Sequence, residues 1–238
     1  MITVRSRARH RVAVLTLAAL KAAILAVTLA SLVVPSLHQF AGEAMAGRIA
    51  VYAAAVLLLP AVAVLRRRPG YPLLADWCLM MPIAVDVVGN SLHLYGHVDH
   101  YDDGAHLVGL AFSAAFAAAL LRGRVTDRLA LAGLAVAGGL VIGIGIELVE
   151  FALFSHTQAT GLSAYDDTIG DLAMDLLGAA LAAGIMLLAP ARFAQPAPSS
   201  RLRPMAAFTS APKTSARLVS QSQVSVMMTP ASDPQALL

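Results

Sequence analysis

The chain has 238 residues, of which 58% are hydrophobic and only 13% charged, and its mean hydropathy is +0.74. A water-soluble domain carries about a quarter charged residues, so this composition excludes an ordinary soluble globule and makes lipid the natural solvent. A single cysteine, Cys78, excludes an internal disulfide and argues against a cysteine-based zinc or nucleophile site.

A helix that crosses about 30 Å of hydrocarbon needs roughly 20 mainly apolar residues. Six windows qualify in chain order: 11–34, 49–65, 73–94, 105–121, 129–154 and 169–189. Backbone amides in lipid must bond within their own segment, so each window is expected to be helical. The abundant alanine and leucine agree with that. Pro60 and Pro82 fall inside the second and third windows, where kinks are expected. The expected fold class is therefore an all-α polytopic membrane protein with six transmembrane helices. It has a basic arm at 1–10, a transmembrane domain at 11–189 and a tail at 190–238. That tail holds seven of the twelve prolines, lacks sustained periodicity and reads as disordered. The first window could also be read as a signal peptide ending near Ala44-Met45-Ala46, but its apolar run exceeds the usual length of about 7–15 residues.

Charge placement orients the helices. Fifteen of the seventeen basic residues lie in the N-terminal arm, the second and fourth connections and the tail; only Lys21 and Arg48 do not. Lysine and arginine mark cytoplasmic connections, so both termini are expected in the cytoplasm (N-in, C-in). Eleven of the fourteen acidic residues, and five of the seven histidines, fall on the opposite side or in the outer halves of the spans.

The intramembrane part of that acidic set is the functional signal. Asp86, Asn90, His93 and His97 recur at helical spacing and are expected on one face of the third span. His106 follows Asp102 and Asp103 by one turn, Glu147 and Glu150 are one turn apart, and Asp167, Asp171 and Asp175 recur every four residues. Ionisable groups at membrane depth cost a few kcal/mol each on insertion scales, so they should face one another or water. Imidazole mixed with carboxylates suits zinc or manganese; carboxylates alone suit calcium or magnesium. The expected metal ligands are Asp86, His93, His106, Glu147, Glu150, Asp167 and Asp171, and the catalytic candidates are Asp102, His106, Glu147 and Glu150. Plainer readings exist: Asp166 and Asp167 could cap the sixth helix, and the loop 99–103 could be a solvated turn. Gly138, Gly139, Gly143 and Gly145 read as sites of close helix packing.

Three segments carry a resemblance. Tyr101-Asp102-Asp103-Gly104-Ala105-His106, then Glu147-Leu148-Val149-Glu150, then Asp167-Thr168-Ile169-Gly170-Asp171 with Leu177-Gly178-Ala179 downstream, resemble the YjdF-like family of bacterial inner-membrane proteins. The layout is also similar to that of VanZ-like proteins. The resemblance covers about 86–188 and departs at 155–166, where the family has a Gly-Gln-Gly-rich stretch, and at Asp175, an extra acid. It implies a multi-pass protein of the bacterial inner membrane in which Tyr101, Asp102, His106, Glu147, Glu150, Asp167 and Asp171 belong together. The family is itself largely uncharacterised and implies little chemistry.

The leading expectation is thus an outward-facing His/carboxylate site that acts on an envelope or lipid-linked substrate with a divalent metal. The alternatives are a structural or regulatory membrane scaffold and a cation or proton transporter. Membrane lipid is the expected partner; nucleic acid is not.

Overall fold

The computed structural model describes residues 4–34, 45–67, 70–154 and 162–189. Seven helices occur among them: α1 (Val4–Ala30), α2 (Met45–Arg66), α3 (Leu73–Ser91), α4 (Leu94–His97), α5 (Tyr101–Leu121), α6 (Arg128–Phe154) and α7 (Leu162–Leu188), with no strands. All but α4 are long and apolar enough to cross a membrane. The tail at 190–238 lies outside the described residues, as do Glu43 and His156, two of the residues counted on the acidic side.

Polarity runs opposite to that of a soluble protein. Leu15, Val141 and Phe151 are exposed, whereas Asp76, Asp171 and Asp175 are buried. Lipid-facing leucine and valine cost nothing in hydrocarbon, and polar groups gain by turning towards other helices. Two cores result. Leu17 and Ile24 of α1, Tyr52 and Val56 of α2, and Met80, Ile83 and Val87 of α3 form one with bulky side chains. The other is built from small residues: Ala114 and Ala118 of α5, Ala135 of α6, and Ala179 and Ala182 of α7. Small side chains let backbones approach closely. A Cβ at Gly178 would collide with the Leu107 backbone carbonyl, and one at Gly138 or Gly139 would crowd Ala117 or Ala114. Gly145, expected among the packing glycines, faces open space and is exposed. α5 packs against α3, α6 and α7, while α1 lies on α2 and α3.

Helix boundaries differ from the hydropathy windows: α1 starts at Val4 and α2 at Met45, each earlier than expected, and three further differences bear on the site. The third window is not one helix: α3 stops at Ser91, and His93 takes a left-handed backbone (φ 57°) before the single turn of α4. Histidine tolerates that region better than most side chains. His100, at φ 60°, starts α5 four residues earlier than expected. α7 begins at Leu162, so Asp166 and Asp167 lie within the helix and neither caps its start. Helical backbone runs through Pro60 and Pro82.

Two charged pairs tie α1, α2 and α3 together. Lys21 Nζ donates to Asp76 Oδ2 at 2.6 Å and to the Val56 carbonyl at 3.0 Å, and the Tyr71 hydroxyl donates to the same carboxylate. Asp76 is fully buried. Burial, that hydrogen bond and the Asp76 charge raise the Tyr71 phenol above its usual range and keep it a donor. Arg48 Nη1 grips both oxygens of Asp86 at 2.9 and 2.7 Å, joined by donors from Tyr52, Asn90 (2.8 Å) and Tyr95 (3.1 Å).

Candidate functional site: a buried histidine among carboxylates

The start of α5 is anchored before it reaches the site. Tyr101 donates its hydroxyl to the Val85 carbonyl at 3.0 Å and packs edge-on against Tyr95, with ring centres 4.9 Å apart. Both rings fill the space that a side chain at Gly89 would need. One helical turn further on, α5 presents His106 inward.

Four carboxylates from three helices surround this ring. Nδ1 lies 3.0 Å from Asp175 Oδ1 and 3.8 Å from Glu147 Oε1; Nε2 lies 3.7 Å from Asp171 Oδ1 and 3.8 Å from Asp102 Oδ1. The helical spacing explains the convergence. Asp102 sits one turn before His106 on α5, and Asp171 and Asp175 one turn apart on α7, so each pair shares a face. Close packing of α5 with α6 and α7 then brings Glu147 to the same depth. Gly143 on α6 is where Asp175 fits, since a Cβ there would overlap its Oδ2.

The cluster is graded from mouth to floor. The Asp102 side chain is 49% exposed, those of His106 and Glu147 are 9% and that of Asp175 is 1%. Asp175 Oδ2 and Glu147 Oε1 are buried without a hydrogen-bond partner. A buried polar atom of that kind costs about 1–3 kcal/mol, more when charged. The two sides of the ring also differ. A carboxylate only accepts, so Nδ1–H donates to Asp175 and fixes the tautomer. Nε2 then faces two further carboxylates, those of Asp102 and Asp171. Acceptors that converge without a donor need a cation between them, whether a proton or a metal ion. Asp102, His106 and Asp171 present ligand atoms within 4.8 Å of one another, and so do His106, Glu147 and Asp175.

Of the expected ligands, the structure brings His106, Glu147 and Asp171 together and joins them with Asp102 and Asp175. Glu150, one turn beyond Glu147, is within range of the His106, Glu147 and Asp102 charges. Asp167 is exposed, and its charge reaches Asp171. Asp86 and His93 stand apart. Asp86 is occupied by Arg48, Tyr52, Asn90 and Tyr95, and His93 is exposed where α3 breaks, edge-on to His97. Asp103 accepts from His100 Nδ1 at 2.9 Å on the surface. Asp175 was legible only as an additional acid in register with Asp171, yet it is the nearest partner of the histidine.

Six apolar helices, three of which hold a buried His/carboxylate cluster, define the class: a multi-pass membrane protein with an ionisable centre between its helices. The chain belongs to the predicted membrane protein family DUF2238, whose model matches residues 16–192 and so takes in every member of the cluster. No curated protein and no solved structure matches the chain significantly.

Proposed function

We propose that this chain is a YjdF-like protein of the bacterial inner membrane, with both termini cytoplasmic and a metal-dependent site open to the outer side. A divalent transition ion, zinc or manganese, binds His106 Nε2 together with Asp102 and Asp171. Asp175 holds Nδ1, and Glu147 lies beside it. The observation that carries this reading is the asymmetry of the ring, with one nitrogen hydrogen-bonded at 3.0 Å and the other facing two carboxylates at 3.7 and 3.8 Å. Ligands of a tetrahedral zinc site lie about 2.0–2.2 Å from the metal, so the Nε2 side needs only a small contraction to close on an ion. A carboxylate behind the ligating histidine is the usual way its tautomer and orientation are set. Three protein ligands leave a position for water, which a metal ion makes nucleophilic at neutral pH. Glu150, on the outer side of the cluster, is placed as the general base. The half-exposed Asp102 marks the side from which substrate enters. The substrate class that fits is a lipid-linked or phosphorylated envelope component whose phosphate binds the ion, since basic residues are nearly absent at that end.

The polar groups at the other depth do not favour transport. Lys21 and Asp76 are paired with each other at 2.6 Å and belong to the separate core of α1, α2 and α3.

Elemental analysis of the purified full chain tests the reading, together with phosphate release from extracted envelope lipids. The expected result is about one divalent ion per chain and metal-dependent release that is lost in His106→Ala. A metal-free protein, or release unchanged in that variant, would sink the proposal.

A further inference from the structure

At the end of the bundle away from His106, α3, α5, α6 and α7 line a partly open cavity of about 210 Å³. Ala115, Ala118 and Ala119 of α5 face Leu74, Ile185 and Met186 across it. The room exists because those α5 positions carry only a methyl group. Its lining is almost wholly apolar and it opens to the surface of the bundle, so in a bilayer a hydrocarbon segment fills it in preference to water.

Two charged side chains also reach its edge. Arg122 and Arg128 both border the cavity. Arg128 is held there because its Nη2 donates to the Met186, Leu187 and Ala189 carbonyls at 2.5, 2.9 and 2.6 Å, closing the end of α7. Arg124 lies between them in sequence and donates to the Leu120 carbonyl at 3.0 Å. The one acid nearby in the chain, Asp127, is used to start α6, where it accepts the Ala130 amide at 2.6 Å. With three arginines against one aspartate, the segment 122–128 carries a net positive charge beside an apolar slot. Basic pockets between transmembrane helices take anionic lipid head groups, and guanidinium groups match phosphate oxygens in a bidentate fork.

We infer that the cavity binds an anionic membrane phospholipid, with one acyl chain in the slot between α5 and α7 and the phosphate at Arg122 and Arg128. The inference is independent of the metal site, which lies at the other end of the helices.

The test uses full-length protein in neutral detergent, titrated with phosphatidylglycerol or phosphatidylcholine and read by native mass spectrometry. Wild type retains phosphatidylglycerol in preference to phosphatidylcholine. Each arginine near a membrane surface contributes about fivefold to anionic binding (about 1 kcal/mol), so Arg122→Gln lowers the preference by about that factor. Ala119→Phe fills the slot without changing charge and reduces retention of both lipids. Either variant decides the matter if the other fails to fold. Equal retention of the two lipids by wild type, no lipid bound, or an Ala119→Phe protein that binds as wild type would overturn the inference.

Discussion

Asp175→Asn separates a metal-orienting role from a packing role. The substitution keeps the shape of the side chain and an acceptor oxygen, and removes one negative charge 3.0 Å from His106 Nδ1. Among the described residues, Glu147 Oε1 is the other carboxylate oxygen near that nitrogen, and at 3.8 Å it is beyond hydrogen-bond reach without a shift of α6. Loss of a carboxylate behind a ligating histidine typically weakens metal binding about 10–100-fold, which is about 1.4–2.7 kcal/mol. Competition with a chromophoric chelator on purified protein measures that change, and thermal unfolding of the metal-free protein controls for folding. Gly143→Ala should reproduce the defect from the neighbouring helix, because the added methyl overlaps Asp175 Oδ2 and forces the carboxylate to move. Wild-type affinity in Asp175→Asn, with only the melting temperature changed, would refute the orienting role.

Other substitutions probe the frame around the site. Lys21→Met leaves the fully buried Asp76 without its cation and should destabilise the chain by about 3–5 kcal/mol, read as loss of folded protein in a detergent melt; Lys21→Met with Asp76→Leu should recover much of it. Gly178→Val drives a side chain into the Leu107 carbonyl and should cost at least about 1–3 kcal/mol through overpacking, separating α5 from α7 and lowering metal affinity along with stability. His93→Ala should leave metal affinity within about twofold of wild type, since the side chain is exposed and outside the cluster. A large loss of affinity there would put the break between α3 and α4 at the site after all.

The six spans were legible because hydropathy is a local property of 18 or more residues, and alternating arginine clusters suggested an orientation for them. What hydropathy could not show was the stop after Ser91. Leu92 and Leu94 continue the apolar signal, and only a left-handed backbone at His93 ends the helix. The start of α7 was missed for the opposite reason: Tyr165, Asp166 and Asp167 are polar enough to resemble a connection, yet they extend the helix by two turns. Within the site, i,i+4 spacing found Asp102 with His106 and Asp171 with Asp175, since that geometry belongs to one helix. The same argument also drew in Asp86 and His93, which the structure does not bring to His106. The partner that occupies Asp86 is Arg48, 38 residues away on α2, and pairing at that separation depends on tertiary packing. Gly143 read only as a packing glycine; that its missing side chain accommodates Asp175 follows from the distance between α6 and α7, which no spacing within one helix encodes.

X-ray absorption at the metal edge of zinc- or manganese-loaded protein tests the central claim most directly. One imidazole nitrogen and at least two carboxylate oxygens are predicted at about 2.0–2.2 Å, with the imidazole contribution lost in His106→Ala and an oxygen lost in Asp171→Ala. A coordination shell without imidazole, or one unchanged in His106→Ala, would contradict the account.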